Sequence, residues 1–434
     1  MKRNTRVIIM CLMLALIFIF TTACGSSGDE TDTSSKKEDV TSSQQDDTSS
    51  KKPSSSASSN SSDKNSSNES SSQNDETYYE GDKKALLSFN KGLDMFGEKS
   101  INIIGDSISQ GLNSEKMYDQ SWASLLKKSL YKKYGSNNIG YVSLLDGTDQ
   151  NGFVCKEIHT ITDKTGNWTK KYGVESSLTP GNLSYTASSF TEGATLEFKL
   201  NRKADGIDRH INGFYVYHVA GATYGKYQVK VNGQVVTTVD CAQATSNTCA
   251  RSPYIAIPAG CGDDITIEIV KLTNGYEPVT ITGISYIDKP GAVTVNNYSI
   301  SGIRLVDIDD SVLEQLAKAN FVIFTLGTND AGTNADIDEF QRKVNIVVNT
   351  CKKNGSTLIV GDVVWARYGN DYWATGYKNI LRQAAVDANG YFIDFTTLPL
   401  SKVLKTDKDI CHPTIEGHKL MAEKLCSFFE LKLD

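Results

Sequence analysis

From residue 85 onwards, the hydrophobic residues first follow the spacing of a helix, then that of a strand, then that of a helix again. An amphipathic segment at 85–96 predicts a short helix, and the mostly apolar run Ile101–Ile104 predicts a buried strand. Apolar residues then recur at helical spacing from Trp122 to Tyr134, and Gly135 is placed as a helix stop. Strands that alternate with helices are typical of α/β folds.

A different pattern occupies the region from about Pro180 to Asp288, where apolar and polar residues alternate in short segments. Within it, Asn232 and Gly233 form a strong signal for a tight hairpin. The predicted β segments are Thr195–Leu200, Gly213–Ala220, Tyr227–Asp240, Tyr254–Ile257, Ile265–Leu272 and Val279–Ile287. Several short strands without a helical period predict an antiparallel sandwich or jelly roll.

After Asp288 the alternation of strands and helices returns. The predicted strands here are Phe321–Leu326, Thr357–Val364 and Tyr391–Phe395. The predicted helices run from Ile337 to Gly355, from Tyr377 to Ala388, and from near Thr414 onwards. Repeated strand–helix units predict a parallel sheet with helices on both faces, interrupted by the β insert.

The N-terminal residues have the pattern of an export signal. Three basic residues precede the apolar stretch Val7–Phe20, which is too short to span a membrane comfortably. Small residues at 21–23 then lead directly into Cys24, which is similar to the bacterial lipobox, where the cysteine is acylated and becomes the mature N-terminus. We therefore expect a lipoprotein anchored by Cys24 to the extracellular face of the cell membrane; an ordinary signal peptide cut nearby is the alternative.

The segment from Gly25 to about Asn74 is rich in serine and nearly free of apolar residues, so it cannot bury enough surface to offset its chain entropy. We expect it to be a disordered tether. Together these patterns predict five segments, namely a signal peptide at 1–23, a tether at 24–80, an α/β domain at 81–165 and 289–434, and an inserted β-domain at 166–288.

Charge and cysteine content narrow the function further. The formal net charge is −6 and the basic residues are scattered, which argues against nucleic-acid binding. The nine cysteines lack the spacing of a zinc site. Cys241 and Cys249 flank a short loop and could form a disulfide outside the cell, whereas Cys351 and Cys426 lie on apolar helix faces and are expected to be buried thiols.

Three short motifs lie at or beyond the carboxyl ends of predicted strands, where open α/β sheets place their sites. They are Gly105–Asp106–Ser107, Gly327–Thr328–Asn329–Asp330 and Asp409–Ile410–Cys411–His412. Acyl transfer by serine needs a nucleophile, a base, a group that orients the base, and donors for the oxyanion. A carboxylate three residues before a histidine can reach its Nδ1, which leaves Nε2 for the serine. Either of the first two motifs alone would be an ordinary turn. His159, His210, His218 and His418 are expected to be structural.

In this order the motifs resemble those of the SGNH (GDSL-type) hydrolase superfamily, which has a GDS block, a glycine block, GxND and a late DxxH. Gly302, at the end of the segment Val295–Gly302, is similar to the glycine block. The resemblance implies a flavodoxin-like three-layer α/β fold, with an inserted jelly-roll-like β-sandwich in this chain. It implies no metal or organic cofactor.

The same resemblance implies the roles of individual residues. Ser107 is the expected nucleophile, His412 its base, and Asp409 the group that orients His412. The expected oxyanion hole consists of the amide groups of Ser107 and Gly302 and the side chain of Asn329.

The long stretch between Ser107 and Gly302 departs from the short family pattern and looks like a subgroup with a β insert at this position, which includes peptidoglycan and polysaccharide O-acetylesterases. This predicts an acylated polysaccharide or peptidoglycan as substrate, with acetyl as the acyl group. A lipase or thioesterase for longer acyl chains is one alternative, and a non-catalytic carbohydrate-binding surface lipoprotein is another. Simple ester hydrolysis would separate the last from the others.

Two groups of aromatic residues could contact a glycan. Those near the strand that ends at Val364 could line a substrate cleft or simply pack, and they are Trp365, Tyr368, Tyr372 and Trp373, with Arg367 among them. The tyrosines of the β insert are expected to be packing residues of the sheet, and they are Tyr215, Tyr217, Tyr224 and Tyr227.

Overall fold

The computed structural model describes residues 99–144, 158–171, 185–203, 209–242, 245–363, 371–404, 409 and 411–433, with the backbone alone for 371–374. The predicted signal peptide, Cys24, the tether and the predicted helix at 85–96 lie outside these residues. In the described part of the chain, no helix is both long and apolar enough to cross a membrane.

The strands of the described residues, in chain order, are β1 (Ser100–Ile104), β2 (Gly140–Ser143), β3 (His159–Asp163), β4 (Thr169–Lys171), β5 (Thr186–Ser189), β6 (Thr195–Asn201), β7 (Gly213–Ala220), β8 (Lys226–Val231), β9 (Gln234–Asp240), β10 (Thr248–Arg251), β11 (Ile255–Ala256), β12 (Asp264–Lys271), β13 (Val279–Ile287), β14 (Thr294–Asn297), β15 (Phe321–Phe324), β16 (Thr357–Asp362) and β17 (Tyr391–Asp394). The α-helices of the same residues are α1 (Ser107–Gln110), α2 (Met117–Gln120), α3 (Trp122–Tyr134), α4 (Asp310–Leu316), α5 (Thr328–Gly332), α6 (Ile337–Asn354), α7 (Asp371–Asp387), α8 (Leu400–Val403) and α9 (Ile415–Phe428).

Five strands form a parallel sheet in the order β14-β1-β15-β16-β17. Numbered along the chain within this sheet alone, the order is 2-1-3-4-5, which is that of flavodoxin-like folds. This order confirms the predicted fold class. The strand order reverses between β1 and β15, and ligands of such folds bind at the carboxyl ends of the strands beside that reversal.

Helices cover both faces of the parallel sheet. Trp122 and Leu130 of α3 and Met421 of α9 share one apolar core with the sheet, and Leu313 of α4 and Val344 of α6 belong to the core on the other face. Capping residues favour the ends of several predicted helices. Helix α6, for example, begins after Asp336, whose carboxylate accepts the N–H groups of Asp338 and Glu339, and ends at Gly355 in the left-handed conformation.

The inserted region forms a β-sandwich of two antiparallel sheets. The proximal sheet has the order β10-β7-β13-β5-β4, with β11 also paired to β7 and β2 to β13, and the distal sheet has the order β3-β6-β12-β8-β9. A core that includes Phe198, Phe214, Ile267 and Ile284 lies between the sheets. The other face of the proximal sheet shares a core with the helices of the α/β domain. The predicted hairpin at Asn232–Gly233 connects β8 and β9.

The antiparallel sheets begin before the boundary predicted at residue 166. Strand β2 pairs with β13, and β3 pairs with β6, so both strands belong to the sandwich although they were assigned to the α/β domain. All four residues of β2 are buried, so the segment lacks the polar–apolar alternation that would mark a sheet with one exposed face. Strand β14 was not predicted as a strand for a similar reason, since it too is short and almost wholly buried.

Two cysteines of the β-domain, Cys241 and Cys249, and the four tyrosines singled out from its sequence lie in apolar cores. Cys241 and Cys249 are free thiols, and the disulfide considered for them is absent because Cys241 lies in the core between the two antiparallel sheets, while Cys249 lies on the opposite side of the proximal sheet. Cys351 and Cys426 are buried thiols, as expected. The four tyrosines expected to pack are all buried, which confirms that interpretation, and they are Tyr215, Tyr217, Tyr224 and Tyr227.

Candidate active site

Ser107 lies in a tight turn at the carboxyl end of β1. Asp106 caps helix α1, with its Oδ1 accepting the Ile108 N–H at 2.9 Å, and Ser107 is the first residue of that helix. Because it is the first helical residue, the N–H of Ser107 has no acceptor within the helix. A side chain at Gly105 would place its Cβ 2.5 Å from Thr325 Oγ1, so the turn requires glycine there. The turn thus presents both the hydroxyl and the amide of Ser107 at the edge of the sheet where β1 and β15 end.

Asp106 lies fully buried beneath this turn. Burial, together with the charge of Asp330, raises the pKa of Asp106 to about 7, although the hydrogen bond from Ile108 acts in the opposite direction. Its Oδ2 is buried and has no hydrogen-bond partner within the described ranges. Since one carboxyl oxygen caps α1 and the other faces away from water, Asp106 supports the turn from within and is not exposed to a substrate.

His412 and Asp409 complete a hydrogen-bonded chain with Ser107. The distance between Ser107 Oγ and His412 Nε2 is 2.8 Å, and His412 Nδ1 lies 2.9 Å from both carboxylate oxygens of Asp409. The His412 main-chain N–H also donates to Asp409 Oδ1 at 3.0 Å. A carboxylate at Nδ1 favours the tautomer in which Nδ1 carries the proton, so Nε2 is left to accept the proton of the serine.

The environment of Asp409 keeps it ionised. Burial raises its pKa, but hydrogen bonds from the His412 N–H and from the side chain of Asn113, with the nearby imidazole, outweigh this effect and lower the pKa to about 2. Asn113 Nδ2 lies 2.9 Å from Asp409 Oδ2. Sequence reasoning missed Asn113, because nothing near it in the chain points to a carboxylate 296 residues away.

The loop that follows β14 carries Gly302 and passes beside the Ser107 turn. The Ile300 N–H donates to the Gly105 carbonyl at 3.1 Å. Gly302 is exposed and has a φ of +76°, a conformation that favours glycine. Apart from its two chain neighbours, no residue has an atom within 4 Å of the position that a Cβ would occupy. The backbone at Gly302 is therefore accessible at the edge of the sheet where Ser107 lies.

Asn329 and Asp330 hold the same loop from the side of β15. Asn329 Nδ2 donates to the Ile303 carbonyl at 2.9 Å, and Asp330 accepts the N–H groups of Leu305 at 2.9 Å and Val306 at 3.2 Å. Burial raises the pKa of Asp330 to about 6, although these two backbone hydrogen bonds act to lower it. Because an amide nitrogen has two N–H groups, the contact with Ile303 orients Asn329 and leaves a second N–H for another acceptor.

The remaining histidines do not join this arrangement. Burial lowers the pKa of His418 to about 4, and its Nε2 lies 2.9 Å from the Leu112 carbonyl. His159 and His218 are buried within the β-domain against tyrosine hydroxyl groups, and His210 is an exposed residue of the same domain. Their placement agrees with the expectation that they are structural.

Asp409, Cys411 and His412 offer three possible metal-ligand atoms within 4.8 Å of one another. Both imidazole nitrogens, however, are already engaged by Asp409 and Ser107 at hydrogen-bond distance. A metal bound there would have to displace the contacts that position His412. The donor set therefore fits a proton-transfer chain better than a metal centre.

The side chains of the residues considered for the substrate cleft are outside the part of the chain that the structure describes. Trp365, Arg367 and Tyr368 lie outside the described residues, and Tyr372 and Trp373 are described only as part of the backbone of α7.

Comparisons with known proteins support the class that this geometry indicates. Residues 257–420 match the model of the GDSL-like lipase/acylhydrolase family. This range contains Gly302, Asn329, Asp409 and His412, and it begins after Ser107, within the inserted β-domain. No curated protein sequence matches the chain.

The fold is shared with a solved structure of an esterase. A peptidoglycan O-acetylesterase superposes with a TM-score of 0.55 at 19% identity, covering 80% of this chain and 95% of that protein. A family two carbohydrate esterase from Clostridium thermocellum, solved with cellohexaose, has a TM-score of only 0.27 at 14% identity, covering 60% of this chain and 98% of that protein.

The 2-1-3-4-5 parallel sheet, the ordered motifs and the family match over residues 257–420 identify the α/β domain of this chain as an SGNH (GDSL-type) hydrolase domain. It is a hydrolase of carboxylic ester bonds.

Proposed function

We propose that this protein is a serine esterase that removes O-acetyl groups from peptidoglycan or another polysaccharide outside the cytoplasm. The observation that carries the proposal is the hydrogen-bonded chain from Ser107 Oγ through His412 to Asp409. The fold shared with a peptidoglycan O-acetylesterase over most of both chains supports the choice of substrate class.

In the proposed reaction, Ser107 Oγ attacks the acetyl carbonyl carbon while His412 Nε2 takes the hydroxyl proton. The imidazolium that forms is stabilised by Asp409 at Nδ1. The carbonyl oxygen becomes an oxyanion. Its proposed donors are the main-chain N–H groups of Ser107 and Gly302 and the side-chain amide of Asn329. His412 then gives its proton to the sugar oxygen, which leaves as an alcohol. A water molecule, deprotonated by His412, then attacks the acetyl carbon on Ser107 and forms a second oxyanion. When this intermediate collapses, the bond to Ser107 Oγ breaks, His412 returns the proton to Oγ, and acetate is released.

The proposed oxyanion role of Asn329 predicts a large loss of rate. Asn329→Ala should lower kcat for p-nitrophenyl acetate by about 10² to 10³-fold, which is the scale for removing one preorganised donor. The matched control is Asn320→Ala at the other end of β15, where the side chain accepts the Ser100 N–H at 2.8 Å. That variant should lower the melting temperature and leave kcat unchanged. A loss below about threefold in Asn329→Ala would remove Asn329 from the oxyanion hole.

The proposed substrate class is tested by measuring acetate released from a panel of acetylated glycans, including O-acetylated peptidoglycan, with Ser107→Ala as the blank. In parallel, hydrolysis of p-nitrophenyl esters should fall steeply as the acyl chain grows from acetyl to octanoyl. Remote contacts with a glycan can stabilise the transition state, so kcat/KM should be higher for the best acetylated oligosaccharide than for p-nitrophenyl acetate. If octanoate is cleaved faster than acetate and no glycan releases acetate, the protein is a lipase or thioesterase.

We further propose that a lipid on Cys24 anchors the protein to the outer face of the cell membrane, on the basis of the signal-like N-terminus alone. Cys24→Ala should abolish metabolic labelling with a palmitate analogue in bacterial cells. Cys11→Ala, which changes a cysteine inside the apolar stretch, should leave the labelling intact. Labelling that persists in Cys24→Ala would show that the lipobox interpretation is wrong.

A further inference from the structure

Gln110 is a buried polar residue in the same helical turn as Ser107. Its main-chain N–H donates to the Asp106 carbonyl at 2.8 Å, which closes the turn that carries the nucleophile. Its side chain is 4% exposed and lies in the interior beneath the turn. A buried amide must find partners for its polar atoms, so the partners of Gln110 show what it holds in place.

The two ends of the Gln110 amide contact two different parts of the chain. Oε1 accepts the main-chain N–H of Ser301 at 2.6 Å, and Nε2 lies 3.0 Å from the hydroxyl of Tyr185. Because a main-chain N–H can only donate, the orientation of the amide follows from chemistry. Tyr185 is 1% exposed and directly precedes β5 of the proximal sheet. Gln110 therefore joins the nucleophile turn, the loop after β14 and the inserted β-domain.

The position of Ser301 gives this contact its importance. Ser301 directly precedes Gly302, whose N–H is a proposed oxyanion donor. Gly302 has no side chain to pack, and no residue other than its two chain neighbours has an atom within 4 Å of the position of a Cβ. Polar contacts on either side then fix the main chain here, with Gln110 holding the N–H of Ser301 and Asn329 holding the carbonyl of Ile303. Loss of one contact would let the Gly302 N–H move relative to Ser107.

We propose that Gln110 is a positioning residue that fixes the Gly302 N–H for oxyanion binding, and that Tyr185 connects the inserted β-domain to this arrangement through Gln110. The inference rests on the proposed serine-esterase function. It assigns the β insert a part in the chemistry of ester hydrolysis in addition to any part in glycan binding.

The test compares Gln110→Leu with Gln110→Glu. Leucine fills the space but cannot accept the Ser301 N–H, whereas glutamate keeps an acceptor for Ser301, and the Tyr185 hydroxyl can rotate to donate to it. Tyr185→Phe removes only the hydroxyl. Tyr286→Phe is the matched control, since it removes another buried tyrosine hydroxyl of the proximal sheet, one bonded to His159.

Three measurements are made on each variant: kcat and KM for p-nitrophenyl acetate, the rate of inactivation by diethyl p-nitrophenyl phosphate, and the melting temperature. The phosphate ester is informative because its phosphoryl oxygen occupies the same oxyanion hole.

Gln110→Leu should lower kcat and the inactivation rate in parallel by about 10 to 10²-fold, with KM changed less than twofold, because displacement of one donor by about 1 Å costs on that scale. Gln110→Glu should recover most of the loss. Tyr185→Phe should lower kcat by about threefold, and adding it to Gln110→Leu should cost nothing more, because both changes act on one arrangement. Tyr286→Phe should lower only the melting temperature.

A folded Gln110→Leu variant with unchanged kcat and inactivation rate would overturn the inference. So would a loss confined to the melting temperature, or additive effects in the double variant. If Gln110→Leu does not fold, the comparison of kcat between Tyr185→Phe and Tyr286→Phe decides. Equal kcat values for these two variants would overturn the proposed connection between the β-domain and the Gly302 N–H. Failure of the proposed function itself would look different. The wild-type protein would then not hydrolyse the ester, and Ser107→Ala would react with the phosphate ester as fast as the wild type does.

Discussion

Ser107→Ala should abolish ester hydrolysis, with kcat for p-nitrophenyl acetate lowered on the order of 10⁶-fold, the scale for loss of a serine nucleophile. The Ser107 hydroxyl forms the 2.8 Å contact with His412, and the turn itself is held by Asp106 and the main chain, so the fold should persist. Circular dichroism and the melting curve should therefore match those of the wild type.

Ser109 provides the matched control for this variant. It lies two residues after Ser107 in α1, and its buried hydroxyl forms a hydrogen bond of 2.6 Å with Thr325 Oγ1. Ser109→Ala should lower stability by about 1 kcal/mol, as for a lost buried hydrogen bond, and should leave kcat within a few fold of the wild type. If Ser107→Ala hydrolyses the ester at the wild-type rate, the proposed mechanism is wrong.

Asp409→Asn should lower kcat on the order of 10⁴-fold while preserving the fold. An asparagine amide can donate to His412 Nδ1, which would move the imidazole proton to Nε2. His412 could then no longer accept the Ser107 proton. The pKa of Asp409 is lowered to about 2, so the carboxylate stays charged across the neutral range and the effect should persist from pH 5 to pH 9.

Asp407→Asn is the control for Asp409→Asn. Asp407 also precedes His412 but lacks the three-residue spacing, and it lies outside the described residues. Its replacement should change kcat by less than a few fold. The reverse ranking of the two variants would show that Asp407 and not Asp409 orients the histidine.

The fold was largely predictable from hydrophobic spacing, and the exceptions have a physical cause. Long elements with a clear period, such as α6 and β12, were placed within a residue or two. Strands β2 and β14 were missed because they are short and buried on both faces, which removes the alternation that identifies a strand. The start of the sandwich was therefore placed too late in the chain.

The candidate site was predictable only where motifs carried it. Ser107, Asp409 and His412 were chosen from short motifs, and the structure places them in one hydrogen-bonded chain. The residues that support them, Asn113 and Gln110, make contacts across long separations in sequence. Such contacts follow from tertiary structure, and no local pattern of a single sequence can reveal them.

Mass analysis of the protein after reaction with diethyl p-nitrophenyl phosphate tests the central claim most directly. Attack by Ser107 Oγ forms a bond to phosphorus and expels p-nitrophenolate, and the hydroxyl proton passes to His412. We expect one diethylphosphoryl group per chain, located on the peptide that contains Ser107, with loss of esterase activity in proportion to labelling and no labelling of Ser107→Ala. A fully active protein without this adduct, or equal labelling of Ser107→Ala, would contradict the assignment of Ser107 as the nucleophile.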